Sequence, residues 1–240
     1  MIRARALARD VRVVEEPGAR PQVSGDVLAR VDALWREQKA ARGGALFDGR
    51  LFSVSHASER EIRGWFSDYR WWVAQRCDAS LRDALRVRPL GVTGLVRAGD
   101  ATLFGRRAER VLMNPGGWEL APSGGVEPSA RDARGDLSLV AQLLAEAREE
   151  LGLDTSRAER AAPFALIEDE GTGVFDAFVE TQLVLDVAAR DRIASNAPRD
   201  EYSELLWVSD GELAGWLDRL GDAVDPVSQA ALGCRRGVRP

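Results

Sequence analysis

The chain predicts an α/β (α+β) fold, a mixed sheet with helices behind an N-terminal α/β extension. Three observations predict it. Short apolar runs broken by turn residues recur over 90–121 and again over 164–208. Helical periodicity marks 24–41, 137–151, 211–220 and 226–235. Arg88-Pro89 gives a boundary between an extension, 1–88, and a larger unit, 89–240.

The elements follow in order. Ser24 is a helix cap, and Val27, Val31, Leu34 and Trp35 then fall near helical spacing. The Asp48-Gly49 pair between apolar runs predicts a hairpin over 46–52. A helix rich in aromatics is expected over 69–85. After Pro89, strands 90–97 and 101–106 flank a turn at Ala98-Gly99-Asp100. A loop through Asn114-Pro115-Gly116-Gly117 leads to a short strand, 118–121, and a tight turn, Pro122-Ser123-Gly124-Gly125. A polar insertion, 128–136, precedes the helix 137–151. Strands are expected over 164–169, 174–185 and 205–208, with two closing helices.

Composition narrows the function classes. The net charge of −5 argues against broad nucleic-acid binding. No apolar run reaches the roughly 18 residues of a membrane span. Met1 to Val14 carries Arg3, Arg5 and Arg9 without a continuous apolar core, so no secretory signal is read and a cytoplasmic location is expected. The single histidine, His56, excludes His-rich zinc sites and leaves Ser-His-Asp catalysis little to work with. Cys77 and Cys234 read as bystander thiols.

The chemistry concentrates in Ala145-Glu146-Ala147-Arg148-Glu149-Glu150-Leu151-Gly152-Leu153. Glu146, Glu149 and Glu150 share about 100° of helix face. Val140, Leu143, Leu144, Ala147 and Leu151 make the opposite face, and Gly152 stops the helix. Local energetics oppose this arrangement. Carboxylates in the last turns meet the wrong end of the helix dipole, at about 0.3–1 kcal/mol each. Glu146 and Glu150 are also a like-charge i,i+4 pair. A divalent cation would reverse both penalties, and hard carboxylate oxygens suit Mg²⁺ or Mn²⁺. The bland alternative is a solvated acidic face.

With its surroundings, the segment resembles the box of the Nudix hydrolases, G-x(5)-E-x(7)-R-E-U-x-E-E-x-G-U with U aliphatic. Glu146, Glu149, Glu150, Gly152 and Leu153 match, as does Ala147 if alanine is taken as U. Upstream, Pro122-Ser123-Gly124-Gly125-Val126-Glu127 is similar to the family's P-G-G-x-x-E turn. Three features depart. Ala145 replaces the arginine, Ala130 stands where the next glutamate belongs, and the turn-to-helix loop is about seven residues longer than the pattern. A Nudix subgroup that cleaves UDP-glucose and UDP-galactose has a similar long insert. It also shares the F-x-G-x-x-F pattern of residues 47–52, the Asp68-Tyr69-Arg70-Trp71-Trp72 segment and Pro89-Leu90-Gly91-Val92.

The resemblance implies a Nudix-like α/β/α sandwich and a Mg²⁺-dependent (or Mn²⁺-dependent) diphosphatase. Its small-molecule nucleotide-sugar substrate would yield UMP and sugar 1-phosphate. It implies Glu146, Glu149 and Glu150 as catalytic residues and metal ligands, with the Gly124 carbonyl and Glu127 as further metal contacts. Arg106 and Arg107 would bind the pyrophosphate, beside Gly124; surface salt pairing is their alternative. Glu168, Glu170, Glu201 and Glu204 are candidates for the missing base, or surface charges. Trp71, Trp72 and Phe52 would stack on uracil or pack the core, and His56 is a bystander. Two alternatives stay open: a Nudix hydrolase for ADP-ribose, a dinucleotide or a CoA ester, and a degenerate Nudix domain that binds nucleotides without cleaving them. The oligomeric state is not legible.

Overall fold

The computed structural model describes residues 1–44, 46–132, 134–195 and 201–235. The chain opens with two short strands, β1 (Ile2–Ala6) and β2 (Arg12–Glu15), which the sequence reading did not anticipate. Helix α1 (Gly25–Ala41) follows, with Ser24 Oγ accepting from the Val27 amide at 3.4 Å and Val31 and Leu34 buried. Strands β3 (Arg50–Ala57) and β4 (Glu61–Asp68) form an antiparallel hairpin.

That hairpin turns at residues 58–60, so the expectation of a turn at Asp48-Gly49 is corrected. Those residues instead serve the start of helix α2 (Tyr69–Cys77). Asp48 Oδ1 accepts from the Arg70 amide at 2.9 Å and the Gly49 carbonyl accepts from Tyr69. An Asp-Gly pair can satisfy orphan helix donors as well as turn a hairpin. The expected single helix over 69–85 is also broken. Asp78 adopts extended backbone and its carboxylate accepts from the Ser80 amide and hydroxyl. This local Asx bond competes with helix continuation. A 3-10 turn and the four-residue α3 (Arg82–Leu85) follow.

The second part supplies β5 (Leu90–Ala98), β6 (Ala101–Arg107), β7 (Trp118–Leu120), β8 (Ser123–Gly125), α4 (Leu139–Leu151), β9 (Ala158–Asp169) and β10 (Val174–Leu183). It ends with α5 (Val187–Ser195), β11 (Tyr202–Ser209), α6 (Asp210–Leu220) and α7 (Pro226–Arg235). The segment read as a tight turn, 122–125, is therefore largely the strand β8, and α5 was not foreseen.

The large sheet runs β1-β9-β10-β5-β6-β11, with β10 and β5 parallel and the other pairs antiparallel. Alternation along its strands separates two cores. Leu166, Ala177 and Val179 face one way, with Leu139 and Leu143 of α4. Ala165, Ile167 and Phe178 face the other, with Trp216 of α6 and Leu232 of α7. This is an α/β/α arrangement. The small sheet, β2-β4-β3, joins the α4-side core through Val13, Phe52, Val54, Ile62 and Phe66. Its other face, with Leu51 and Trp65, packs under α1 and α2. Phe52 is thus core, and so is Trp71.

One departure from a regular sheet makes room for a site. β5 and β6 pair only at Arg97–Thr102 and Ala98–Ala101, beside their turn. Beyond that the strands part. β8 takes over the free edge of β5 at Gly91–Thr93, and β7 takes that of β6 at Phe104–Arg106. The segment from β7 to β8 fills the opening.

Candidate active site

A cleft of about 1100 Å³ opens at this split. Its lining includes the apolar side chains Phe47, Leu112 and Met113 with Tyr69 and Trp72, and the arginines Arg42, Arg50, Arg107 and Arg110. It also includes the acids Glu119, Asp176, Glu201 and Asp225, beside Ser123, Gly124 and Glu127.

Of the two arginines expected to bind phosphate, the structure brings one to the cleft. Consecutive residues of β6 alternate in direction. Arg107 lines the cleft; Arg106 is exposed and its Nε donates to the Gly116 carbonyl at 3.2 Å. The structure does not bring Arg106, expected beside Arg107 at the phosphate, to the cleft lining. Arg107 Nη1 donates to Glu201 Oε2 at 2.9 Å and lies 3.5 Å from Glu119 Oε1, with its guanidinium over the Tyr202 ring. Burial works to lower the Arg107 pKa, but Glu119, Tyr202, Glu201 and Glu150 outweigh it and hold the cation.

Glu119 was not singled out in the sequence. It sits in a short apolar strand, opposite Gly105 on β6. Burial pushes its carboxyl up to about 7, against the lowering pull of Arg107 and of a 2.8 Å bond from Ser123 Oγ. Ser123 is shared. Its amide faces the Tyr202 hydroxyl at 3.1 Å and Glu150 Oε2 at 3.4 Å, and its hydroxyl is 3.4 Å from that of Tyr202. Asp176 is a second unforeseen acid. Thr93 Oγ1 donates to its Oδ2 at 2.8 Å, while Oδ1 is buried without a partner. Burial first, then Asp225 and Glu119, push Asp176 up to about 8.

The predicted helix acids reach β8 but do not line the cleft. Helix α4 starts where Ser138 Oγ accepts from the Ala141 amide and stops at Gly152, which has φ 60°. Leu139, Leu143, Ala147 and Leu151 are buried, which turns Glu146 and Glu150 toward β8 and leaves Glu149 exposed. Gly124 lets the helix acid come close: a Cβ there would meet the Glu146 carboxylate. Buried Gln142 fixes Glu146, donating to Oε1 at 2.7 Å while its own carbonyl accepts the Glu127 amide at 2.9 Å. Burial, then Glu149 and Glu127, raise the Glu146 pKa. Burial, then Glu146 and Glu201, push Glu150 up to about 8.

Among the described residues, no three His, Cys, Asp or Glu side chains form a ready-made ligand cluster. Glu146 and Glu150 do stand together, one helical turn apart, and Glu146 adds to the burial that raises Glu150. Two carboxylates are what Mg²⁺ takes when phosphate oxygens and water complete its shell. The residues therefore fit a cation that arrives with a phosphorylated ligand. Ala130 is buried and the family's glutamate has no substitute there. Arg148 does not replace the missing arginine, since Nη1 donates to Thr155 Oγ1 at 3.0 Å.

Of the four acids considered as bases, only Glu201 lines the cleft. Glu168 pairs with Arg5 and Arg88, Glu170 pairs with Arg3, and Glu204 is exposed on β11. His56 is exposed on β3. Both cysteines are free thiols. No helix among the described residues is long and apolar enough to cross a membrane.

No family model matches the chain, and no curated protein does. Solved structures do resemble it in fold. DR0079 from Deinococcus radiodurans is 19% identical, over 79% of this chain and 99% of that one, with a TM-score of 0.48. A Nudix hydrolase from Nitrosomonas europaea is 20% identical, over 63% and 73%, with a TM-score of 0.39. A bifunctional NMN adenylyltransferase/ADP ribose pyrophosphatase from Francisella tularensis, complexed with AMP and Mn ion, is 14% identical, with a TM-score of 0.45. The likeness covers 69% of this chain and 49% of that one, about half its length. Identities and TM-scores at this level do not by themselves assign a family.

Proposed function

We propose that this protein is a Nudix-type hydrolase that cleaves a nucleoside-diphosphate-linked compound at its pyrophosphate, with Mg²⁺ or Mn²⁺, and that its substrate is a UDP-sugar. The observation that carries the reading is the junction of α4 with β8. There the box residues Glu146 and Glu150 meet the Ser123-Gly124 strand on the wall of a cleft large enough for a nucleotide. The cleft's composition supports the substrate class. Aromatic faces at Phe47 and Tyr69 suit a nucleobase, whereas Trp72 is buried with Arg76 over its ring. Arg107 and the neighbouring arginines suit phosphate oxygens.

In this reading Glu146 and Glu150 would hold the cation, with Glu149 and the Gly124 carbonyl adjoining and Glu127 at the cleft edge. A bound cation neutralises phosphate charge and acidifies water. The chain's own groups bind and orient. Gln142 holds Glu146 in one rotamer, Ser123 fixes Glu150 and Glu119 on either side of β8, and Arg107 meets phosphate.

A second reading is favoured by one observation, the lack of a three-carboxylate cluster among the described residues. It is a nucleotide-binding module without turnover. Hydrolysis of UDP-glucose, ADP-ribose and NADH with Mg²⁺ and Mn²⁺, beside Glu150→Gln, separates the readings. UDP-glucose cleavage is expected, lost by more than about a hundredfold in the variant, beyond what an outer-shell partner contributes. Cleavage of ADP-ribose or NADH instead would remove the UDP-sugar assignment. Nucleotide binding without turnover would leave the binding module.

A further inference from the structure

We infer that Glu119 is the proton acceptor for the attacking water, held ready by a hydrogen-bond chain from Tyr202 through Ser123. This rests on the hydrolase reading above and supplies a base that the box, with Ala130 in place of a glutamate, lacks.

The cleft acids can be sorted by what already occupies them. Asp225 Oδ2 accepts from the Ser228 amide at the start of α7, and Asp169 accepts from the Gly171 amide and the Thr172 hydroxyl in a turn. Asp176 is bonded by Thr93 on one oxygen, and its other oxygen is sealed from solvent. Glu201 accepts the direct 2.9 Å bond from Arg107, which stands farther from Glu119 at 3.5 Å, and Glu127 lies at the exposed rim with Ser129 donating to it. Glu119 combines a place on the cleft wall with a side chain only 13% exposed.

Its hydrogen bonds are directional. The Ser123 amide donates to the Tyr202 oxygen. If Ser123 Oγ donates to Glu119, the Tyr202 hydroxyl must supply the proton of the Oγ–Oη contact. The chain therefore runs Tyr202 to Ser123 to Glu119 and ends on the carboxylate, favouring the ionised form that can accept a proton. The titratable groups facing Glu119 come from several elements: Arg107 on β6, Tyr202 on β11, Glu201 before it, Asp176 on β10 and Asp225 before α7. Arg107 stands against three carboxyl groups, while burial keeps the Tyr202 hydroxyl neutral. That balance, with burial, leaves the carboxyl at about 7, where a base works best at neutral pH.

In the step, the water oxygen forms a bond to phosphorus and one of its protons passes to Glu119. The other proton stays on the new phosphate. The bridging P–O bond breaks, and its electron pair leaves on the departing phosphate.

The test is the pH dependence of kcat/KM for UDP-glucose with Mg²⁺, over about pH 5 to 9, for the natural protein, Glu119→Gln and Ser123→Ala. The natural protein should lose activity as pH falls through about 7. Glu119→Gln should lose about 100-fold at the optimum, the low end for a general base, and the acid limb with it. Ser123→Ala removes a bond that lowers the Glu119 pKa, so its acid limb should move to higher pH with the limb retained. A readout free of turnover accompanies these. With ¹³C-labelled glutamate and no nucleotide, one carboxyl signal should titrate near 7 and be missing in Glu119→Gln. An active natural protein whose Glu119→Gln variant keeps rate and acid limb would overturn the assignment alone, as would an unmoved limb in Ser123→Ala. Inactivity of the natural protein on every diphosphate would overturn the hydrolase reading beneath it.

Discussion

Glu150 on α4 and Glu119 on β7 approach the same residue from opposite sides, one at the Ser123 amide and the other at its hydroxyl. Both are pushed well above the usual carboxylate range by burial. They differ in what opposes that burial. Glu119 has Arg107 beside it at 3.5 Å. Among the described residues, Glu146, Glu149 and Glu150 form no ion pair, and Arg107 reaches Glu150 only as a weaker pull at longer range. The cleft side of β8 is thus completed by the chain itself. The helix side is left incomplete, with like charges gathered where a dipole already disfavours them. Incomplete charge compensation inside a fold is the signature of something to be bound.

Removing Arg107 should break this contrast most strongly. Arg107→Met leaves Glu119 buried without its cation and should cost about 3 kcal/mol, the range for half of a buried pair. The sign with pH follows from Glu119. Without Arg107 its folded pKa rises further above the unfolded value, so its stabilising share survives at low pH and is lost as pH rises. The loss should therefore be larger at about pH 8 than at pH 6 in urea unfolding. The double variant with Glu119→Gln should recover most of it. Equal costs at both pH values would mean that Arg107 acts through packing rather than charge.

The helix side should respond to metal instead. At a hundredfold its dissociation constant, Mg²⁺ that binds only the folded chain stabilises it by about 2.7 kcal/mol. Thermal unfolding with Mg²⁺ and UMP should show this at pH 8, and Glu146→Gln with Glu150→Gln should abolish it. An equal shift in the double variant would move the cation elsewhere.

The same contrast explains what the sequence made legible. Glu146, Glu149 and Glu150 lie within five residues, and helical geometry alone put them on one face against local energetics. Gly152 and Ser138 bounded the helix as helix ends do. The Arg107–Glu119–Ser123–Tyr202–Asp176 network spans 96 positions and is joined by strand register: β6 with β7, β5 with β8 and β10, β11 with β6. A register shift of one residue would turn each side chain to the other face. The one local trace was an acid inside an apolar run, at Glu119 in β7 and Asp176 in β10. Arg106 and Arg107 could not be told apart without knowing which face of β6 meets the cleft. Strands β1 and β2 escaped for a similar reason. Short runs with arginine at alternate places in β1 and charged ends in β2 resemble solvated segments until β9 and β4 supply the partners.

Asp176 gives the smallest effect and the sharpest check on the cleft side. Its Oδ2 is bonded by Thr93 and its Oδ1 is buried without a partner. Its folded pKa of about 8 lies above the unfolded carboxylate value, so the folded protein binds the extra proton. The stability that the protonated form contributes is present below the unfolded pKa and is lost as pH rises through about 8. Asp176→Asn keeps the shape and removes the titration. The variant should match the natural protein near pH 4, where the carboxyl is largely protonated folded or unfolded, and melt higher at pH 9, by about 2–4 °C for each kcal/mol in a chain of this size. A melting temperature that falls equally at both pH values would mean that the carboxylate is ionised and used throughout. The cleft acids around Arg107 would then hold still more negative charge than that arginine balances, and would belong with the helix side as a place for a cation.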